Sequence, residues 1–439
     1  MSKISVIGCG YVGLVCGAGL AEFGNDVVCV DIDDVKIKNL NNMIVPIVEP
    51  GLSELIEKNY KNGQLSFTSN IKVGISGCDA IIIAVQTPQA EDGSANLTYL
   101  MKAAGDIAEF LLAPAAVVIK STVPIGTAKK VAELINSKLE ERKTGFSVEV
   151  VSNPEFLREG CAVNTFLNPD RIVIGCSGKS FDLMDDVYKV SASKGIPIIK
   201  CSNETAETIK YAANSFLAMK ISYINQMALL CEETGADIKT VAKAVGSDER
   251  ISPKFLNPGP GYGGSCFPKD TRALVKIAKD YGLDLSMIRS AYEANTAHKE
   301  ILAQKTVRIM LENNAKTLAI WGLSFKEGSG DMRMAPSLTI IPVIIKNGIR
   351  VKVYDPEAMA EAEVLLGGYG KSIEFCKSMK DATYQSDALM ILTGWECFKN
   401  ADLKEPLKTL KQKILLDYRN IYDAKTAREM GFLYFGVGR

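Results

Sequence analysis

The sequence has one histidine, no excess of either charge and no long apolar run. A histidine–carboxylate metal site and a Ser-His-Asp triad both need histidine, so a single His298 in 439 residues argues against each, and we expect no metal ion. Lysine plus arginine and aspartate plus glutamate each number 51. The chain thus lacks the positive charge that attracts nucleic acids or anionic membranes. No apolar run approaches the roughly 20 residues that cross a bilayer, so we expect neither partner.

Cysteine usage points to a reducing compartment. The 11 cysteines are scattered and none forms a C-x-x-C pair, and an odd count in a chain of this length argues against a disulfide framework. The first residues also lack the pattern of a secretory signal. We therefore expect a cytoplasmic protein, and its 47% hydrophobic and 23% charged residues are typical of an ordinary globular one.

Short β-rich runs alternate with helical stretches in both halves of the chain. The runs are 4–7, 27–30, 80–85, 117–120, 148–151 and 171–174 in the first half, then 317–321, 351–354, 388–392, 414–416 and 433–435. This alternation predicts an α/β fold with two Rossmann-like parallel-sheet domains and helices on both faces. Residues 203–234 predict one long helix, followed by a helical middle. We divide the chain into domains at 1–202, 203–300 and 301–439.

The long helix also predicts an oligomer. Its apolar surface is wider than one neighbouring element would cover, and a second copy of the same helix can cover the remainder. We therefore expect a homodimer.

A glycine-rich turn stands where the first strand meets the first helix. Gly8 permits the turn, Gly10 lets a pyrophosphate approach the backbone, and Gly13 allows the helix to pack closely on the strand. The helix N-terminus then faces the phosphates with its N–H groups. Asp31 ends the second strand, where a carboxylate accepts ribose hydroxyls and repels a 2′-phosphate. This context predicts a site for NAD rather than NADP, and the alternative is a glycine turn without a ligand.

A second glycine-rich segment surrounds one cysteine. The sequence GYGGSCFPKD at 261–270 places Cys266 after closely spaced glycines and four residues before Asp270. The glycines let a substrate approach the backbone, and Lys269 or a helix N-terminus would favour the thiolate that attacks an aldehyde. The alternative is that Cys266 is a small buried hydrophobe, as we expect for most of the other cysteines.

Two polar residues interrupt the apolar pattern of the long helix. Lys210 and Asn214 lie four residues apart and therefore share a face. A buried ammonium there can donate to a developing alkoxide or, with its proton lost, act as a base. The alternative is a lysine on a solvated face.

Six segments together resemble the UDP-glucose/GDP-mannose dehydrogenase family, and within it the UDP-glucose 6-dehydrogenases. They are the glycine turn 8–13, STVPIGT at 121–127, NPEFLREG at 153–160, Lys210 with Asn214, GYGGSCFPKD at 261–270 and GLSFK at 322–326. Glycine turns occur in many oxidoreductases, whereas NPEFLREG and GYGGSCFPKD in one chain are specific to this family. The resemblance covers nearly the whole sequence.

The resemblance implies a four-electron oxidation with NAD. Members of the family convert the C6 alcohol of UDP-glucose to an aldehyde, hold it on cysteine as a thiohemiacetal, oxidise that to a thioester and release UDP-glucuronate with water. Cys266 is the implied nucleophile. Lys210 and Asn214 are implied to stabilise oxyanions, Asp270 and Thr122 to order water for proton transfer, and Glu155 to assist hydrolysis.

The same resemblance implies the binding residues. For NAD they are Gly8, Gly10, Tyr11, Val12, Gly13, Asp31, Lys36, Thr87, Thr122, Glu159, Lys269 and Arg333. For the sugar nucleotide they are Glu155, Phe156, Leu157, Arg158, Glu159, Lys210, Asn214, Phe255, Leu256, Asn257, Pro258, Gly259, Gly263, Phe325, Lys326 and Arg419, with Arg250 reaching the sugar from the adjacent subunit.

Three other functions compete with this one. Sister enzymes oxidise GDP-mannose or UDP-N-acetylhexosamines by the same route, and Phe156 to Glu159 with Phe267 and Pro268 favour UDP-glucose here. A two-electron hydroxyacid dehydrogenase shares the first domain and the long helix but lacks the cysteine loop. A silent nucleotide-sugar sensor would have no use for Cys266 beside Asp270.

Overall fold

The computed structural model describes residues 1–439 and contains two sheets, of eight and six strands, whose first six strands have the same order. The first sheet has the order β3-β2-β1-β4-β5-β6-β7-β8. Its strands are β1 (Lys3–Ile7), β2 (Asp26–Val30), β3 (Leu65–Thr68), β4 (Ala80–Ile83), β5 (Ala116–Ile119), β6 (Val150–Ser152), β7 (Ile172–Gly175) and β8 (Ile198–Cys201). The order of β1 to β6 is that of a Rossmann fold.

The central strands of the first sheet are buried on both faces, which explains their uninterrupted apolar sequences. Ile82 faces one apolar cluster, and Ile81 and Ile83 face the other. The helices that cover the two faces are α1 (Tyr11–Glu22), α2 (Asp34–Asn41), α3 (Leu52–Lys61), α4 (Ile71–Gly74), α5 (Thr98–Phe110), α6 (Thr127–Glu141), α7 (Ala162–Leu167), α8 (Ser180–Val187) and α9 (Lys189–Ser193). The predicted helices on both faces are confirmed.

One part of the first sheet differs from the purely parallel prediction. Strands β1 to β6 are parallel, but β7 pairs with β6 in the antiparallel direction, through Ser152 and Gly175, and β8 then runs parallel to β7. The connection from β6 to β7 holds only the short helix α7, so the chain returns along the sheet without the long crossover that a parallel neighbour requires.

The second sheet is parallel throughout, with the order β11-β10-β9-β12-β13-β14. Its strands are β9 (Thr317–Trp321), β10 (Arg350–Tyr354), β11 (Ile373–Phe375), β12 (Ala388–Ile391), β13 (Ile414–Asp417) and β14 (Leu433–Gly436). Six helices follow or cover them: α14 (Ser337–Lys346), α15 (Met359–Leu366), α16 (Met379–Thr383), α17 (Glu396–Lys399), α18 (Lys404–Thr409) and α19 (Ala424–Glu429). The predicted fold class, two Rossmann-like domains with a helical middle, is confirmed.

The helical middle contains α10 (Asn203–Thr234), α11 (Ile238–Gly246), α12 (Phe267–Asp280) and α13 (Ser286–Glu312). The predicted long helix is therefore present with the predicted bounds. The chain forms two compact units, Met1–Ala213 with Lys279–Tyr281, and Asn214–Ala278 with Gly282–Arg439. Lys210 thus belongs to the first unit and Asn214 to the second. None of the helices combines the length and apolarity needed to cross a membrane.

Candidate active site

In the first unit, the glycine-rich turn lies at the carboxyl end of β1, as the sequence predicts. Gly8 has a φ of +103°, and a Cβ there would lie 2.8 Å from the Ala84 carbonyl oxygen. A Cβ at Gly13 would lie 1.7 Å from the Gly8 carbonyl oxygen, so only glycine lets α1 start this close to the strand. A Cβ at Gly10 would meet no atom within 4 Å. The turn therefore leaves open space at the start of α1, which fits a pyrophosphate.

Asp31 lies at the carboxyl end of β2 beside this turn. Its carboxylate accepts from the Cys9 N–H at 2.8 Å and pairs with the Lys36 ammonium at 3.0 Å. The structure thus brings Lys36 to the same carboxylate that the sequence assigns to the ribose. Tyr11 and Val12 are the first two residues of α1 and lie on the same turn. These positions fit the adenosine end of NAD.

Thr87 and Thr122 lie beyond the carboxyl ends of β4 and β5, which are neighbours in the sheet. The Thr87 hydroxyl donates to the Thr122 carbonyl oxygen at 2.9 Å and so ties the two connections together. Both residues are at the sheet edge where open α/β sheets bind their ligands.

Glu155 follows β6 and forms a buried ion pair with Lys210. Lys210 Nζ lies 2.9 Å from Glu155 Oε1, and the two side chains are 4% and 8% exposed. Burial alone would raise the pKa of Glu155, but the Lys210 ammonium and the Leu157 N–H more than offset it and hold that pKa below its ordinary value. The solvated-lysine alternative is therefore wrong, because Lys210 is buried and paired.

The rest of this segment differs in exposure. Lys210 Nζ lies 5.3 Å from the centre of the Phe156 ring, and the Arg171 guanidinium stacks on the ring at 3.6 Å. Arg158 instead points outward and pairs with Asp170 at 2.6 Å. Leu157 and Glu159 are half-buried.

Sequence analysis missed a buried lysine next to this pair. Lys120 donates to Asn153 Oδ1 at 2.9 Å and to the Tyr188 hydroxyl at 3.1 Å, and its charge acts on Glu155. The available signal was a charged residue directly after the apolar strand β5 and directly before the motif 121–127.

In the second unit, Cys266 precedes the first residue of α12. It is partly exposed, whereas seven of the other cysteines are buried. Its carbonyl oxygen accepts from the Asp270 N–H at 2.8 Å, which opens the helix. A cysteine at a helix N-terminus is favoured as thiolate because the unpaired N–H groups stabilise negative charge. The buried-hydrophobe alternative does not fit this position.

Asp270 lies one turn after Cys266 and is 1% exposed. The Asn214 side-chain amide donates to its Oδ2 at 2.6 Å, and Lys269 Nζ lies 2.7 Å from its Oδ1. The structure therefore brings Asn214 of the long helix together with Lys269 and Asp270 of the cysteine loop, which the sequence assigned from two different motifs.

The cysteine loop packs tightly against residues 325–335, which follow the first strand of the second sheet. The Gly264 N–H donates to the Arg333 carbonyl oxygen at 2.7 Å. A Cβ at Gly263 would lie 2.5 Å from the Met334 carbonyl oxygen, and one at Gly264 would lie 2.8 Å from the Phe325 ring. The glycines are thus required for this close approach, and Lys326 follows Phe325 at the edge of the loop.

Arg419 joins the second sheet to the segment 255–259. Its guanidinium donates to the carbonyl oxygens of Phe325 and Leu392, each at 2.7 Å. A Cβ at Gly259 would lie 3.6 Å from Arg419 Nη1. Arg419 therefore contacts Phe325 and lies close to Gly259, two of the predicted sugar-nucleotide residues of this unit.

Helix α13 holds the backbone at Gly259, Tyr262 and Met334 with three polar residues that no sequence motif includes. Asn295 bonds both the N–H and the carbonyl of Tyr262, and His298 Nε2 lies 2.8 Å from the Gly259 carbonyl oxygen. Lys299 donates to the Met334 carbonyl oxygen at 2.9 Å, and burial lowers its pKa to about 8. A helical run of buried polar residues was the only available signal.

Arg250 is not part of this group. Its side chain is 88% exposed and pairs with Asp248, two residues earlier.

The second sheet has its own acid at the end of β10, but that acid is used internally. Asp355 is 1% exposed and accepts from the N–H groups of Leu323 and Ser324 and from Trp395 Nε1. The same carboxylate accepts from the N–H groups of Glu357 and Ala358. The Asp355 carboxylate is therefore buried and occupied by donors of its own domain, whereas Asp31 is only partly buried.

These features define a class of protein. One Rossmann-like domain carries a dinucleotide-binding turn, the second does not, and a cysteine opens a helix between them in the chain. This combination is that of an NAD-dependent dehydrogenase that holds its substrate covalently.

Comparison with known proteins gives the family. The UDP-glucose/GDP-mannose dehydrogenase family models match here: the NAD-binding domain at residues 2–191, the central domain at 204–297 and the UDP-binding domain at 319–424. The chain belongs to this family. Its first domain is therefore the family's NAD-binding domain, and the predicted cofactor NAD is confirmed.

Relatives match over their full length. The UDP-glucose 6-dehydrogenase TuaD of Bacillus subtilis is 44% identical, with 100% of this chain and 94% of the relative covered. The UDP-glucose 6-dehydrogenase of Rhizobium meliloti is 42% identical, with 100% and 99% covered. Among solved structures, a UDP-glucose dehydrogenase of Pyrobaculum islandicum is 34% identical with a TM-score of 0.89, covering 100% and 98%. A UDP-D-ManNAc dehydrogenase of Pyrococcus horikoshii is 29% identical with a TM-score of 0.87, covering 100% and 99%.

Proposed function

We propose that this chain oxidises UDP-glucose to UDP-glucuronate in two NAD-dependent steps, with Cys266 holding the sugar between them. The observation that carries the proposal is the partly exposed Cys266 at the start of α12, one turn before the buried Asp270 to which Asn214 donates. The UDP-glucose 6-dehydrogenase relatives, at 38–44% identity, favour UDP-glucose over the sugar nucleotides of sister enzymes.

The proposed reaction begins with removal of a proton and a hydride from the C6 alcohol, which leaves an aldehyde. Each of the two oxidations uses one NAD+ as the hydride acceptor. The Cys266 thiolate adds to the aldehyde carbon, and the resulting thiohemiacetal loses a second hydride to become a thioester. Water then cleaves the carbon–sulfur bond, which releases the carboxylate and regenerates the thiol.

Lys210 and Asn214 act as donors to the oxygen on C6 in this proposal. An ammonium paired with a carboxylate donates hydrogen bonds and does not serve as a base, so the ion pair with Glu155 supports the oxyanion role for Lys210. Asp270 and Thr122 order the water that moves protons, and Glu155 assists hydrolysis of the thioester. The remaining predicted residues bind: those of the first unit hold NAD, and those around Arg419 hold the uridine diphosphate.

The test is the number of NADH molecules formed for each UDP-glucose consumed. We expect two, and a value of one would favour a two-electron hydroxyacid dehydrogenase. NADH formation with UDP-glucose, GDP-mannose and UDP-N-acetylmannosamine then separates the sister enzymes, and no turnover with UDP-glucose would overturn the substrate. Cys266→Ala should bind both ligands without forming carboxylate, whereas Cys397→Ala, at an exposed cysteine elsewhere in the second unit, should keep full activity.

The homodimer is also a proposal. Phe216, Tyr223 and Leu230 are 56%, 49% and 56% exposed, and they recur at seven-residue spacing along one face of α10. A second copy would cover this stripe and would give Arg250 a partner other than Asp248. Mixing equal amounts of Arg250→Ala and Cys266→Ala chains tests this: if Arg250 acts in the neighbouring subunit, about a quarter of the active sites regain function. No recovery would place Arg250 in its own subunit's site.

We also propose domain boundaries and a cellular compartment. We assign domains to 1–202 for NAD binding, 203–300 for dimerisation and the catalytic loop, and 301–439 for binding the UDP-sugar. We also assign the protein to the cytoplasm, because the proposed chemistry needs a reduced Cys266 thiol.

A further inference from the structure

Glu49 is a buried acid that none of the motifs includes. It lies in the connection between α2 and α3 and is 6% exposed. Its Oε2 accepts from the Tyr11 hydroxyl and, at 2.7 Å, from the Gly160 N–H. Its Oε1 accepts from the Ala162 N–H at 2.6 Å. One carboxylate therefore joins two segments that are about 150 residues apart in the chain, counted from Tyr11 to Gly160.

Each of the joined segments carries binding residues of the proposed function. Tyr11 is the first residue of α1 and belongs to the dinucleotide turn. Gly160 ends the segment 153–160, which contains Glu155 and Glu159, and has a φ of +77°. Burial is the main cause that raises the pKa of Tyr11, and the Glu49 carboxylate is the next. The Tyr11 hydroxyl therefore stays protonated as a donor.

The segment 153–160 is irregular, and its side-chain partners at Asn153, Glu155 and Arg158 lie before its last two residues. It has no helix or strand between residues 153 and 160. Residues 153–158 line a cavity of about 250 Å³, together with Lys120, Tyr188 and residues 164–172. The segment therefore has open space along one side. Its last residue is held by Glu49, which also holds the dinucleotide turn.

We infer that Glu49 is a positioning residue that couples NAD binding to UDP-glucose binding. A ligand that orders the dinucleotide turn fixes Tyr11, and Tyr11 fixes Glu49 and with it the end of the substrate segment. The second ligand then meets a segment that is already ordered and binds more tightly. The inference rests on the proposed function, because it takes segment 153–160 as part of the substrate site.

The experiment measures this coupling by calorimetry with NADH, because NADH cannot accept a hydride from UDP-glucose and no turnover occurs. In the Cys266→Ala variant, the Kd of NADH is measured with and without saturating UDP-glucose, and the ratio of the two values is the coupling factor. We expect a factor of about five or more, within the usual range for coupled sites. Adding Tyr11→Phe, which removes only the hydroxyl, should reduce the factor to about one. The Kd of the Tyr11→Phe chain for UDP-glucose without cofactor should stay within about twofold of the parent value.

Two further variants complete the test. Tyr60→Phe is the matched control, because Tyr60 lies in α3 of the same unit and stacks on Phe67; its coupling factor should equal that of the parent. Glu49→Gln, which keeps the volume of the side chain, should repeat the loss seen with Tyr11→Phe. A parent factor of one, or a factor that survives both variants, would overturn the inference. Failure of UDP-glucose to bind the parent would instead overturn the proposed substrate.

Discussion

The ion pair between Lys210 and Glu155 makes a stability prediction that does not depend on catalysis. Lys210→Met removes the ammonium but keeps most of the volume, and it leaves the Glu155 carboxylate buried at 8% exposure. Removing one partner of a buried pair costs about 3–5 kcal/mol. Lys120 still compensates part of the charge, so we expect the lower end, about 3 kcal/mol, or roughly a 150-fold change in the unfolding equilibrium.

The pH dependence gives the sign of the effect. In the native chain the pKa of Glu155 is lowered, so the pair contributes its stability above the ordinary pKa of the acid and loses it as pH falls through the lowered value. In Lys210→Met, burial is unopposed by the ammonium and the folded state takes up a proton more readily. The difference between variant and native chain should therefore shrink as pH falls from 7 towards 5. Glu155→Gln should rescue most of the loss in the double variant.

Urea unfolding can follow the two units separately. Both tryptophans, Trp321 and Trp395, lie in the second unit, so fluorescence reports that unit while circular dichroism reports both. Lys210→Met should shift the unfolding of the first unit, which only circular dichroism detects, and should leave the fluorescence transition of the second unit unchanged. A loss below about 1 kcal/mol, or no rescue by Glu155→Gln, would mean that the buried pair does not exist in solution.

Three other predictions follow from the structure. Asp31→Asn should raise the KM for NAD about tenfold and reduce discrimination against NADP, and an unchanged preference in steady-state assays would remove Asp31 from the ribose site. Lys299→Met should be more stable than the native chain at pH 7 by about 2 kcal/mol, because the lowered lysine pKa of about 8 corresponds to about 3 kcal/mol and the lost hydrogen bond to Met334 offsets about 1 kcal/mol. The gap should close between pH 8 and 10.5, where the native lysine loses its proton, and a gap independent of pH would contradict this. Gly264→Ala should destabilise the second unit by about 3 kcal/mol, since its Cβ would meet the Phe325 ring at 2.8 Å. Gly126→Ala, with a similar φ of +86° but no atom within 4 Å, should cost the first unit only about 1 kcal/mol, and equal losses in urea unfolding would refute the steric explanation.

Sequence patterns predicted the central strands of both sheets but missed three strands at their edges. Strands β1, β4 and β5 are buried on both faces and therefore appear as continuous apolar runs. Strands β3, β8 and β11 lie at the sheet edges and have mixed burial, so their sequences resemble loops. The long helix was predicted with its correct bounds, because its apolar period persists over 32 residues.

The candidate site divides in the same way. Gly8, Asp31 and Cys266 stand in motifs whose spacing carries chemical meaning, so the sequence alone makes them candidates. Glu49 and Lys299 act on backbone atoms of distant segments, and a single charged residue in an ordinary loop or helix shows no local pattern. Such contacts depend on tertiary structure, which explains why only the fold makes them visible.

The contrast between Asp31 and Asp355 shows how one architectural plan can serve two purposes. Both carboxylates end the second strand of a sheet with the same order, but Asp355 is saturated by its own domain and acts as scaffolding. A search for a glycine turn followed by an acid would find two candidate dinucleotide-binding domains in this chain, although the acid of the second one already accepts hydrogen bonds from its own domain. Redesigning the C-terminal domain to accept a second dinucleotide would first require new acceptors for the Leu323, Ser324 and Trp395 donors that Asp355 now satisfies.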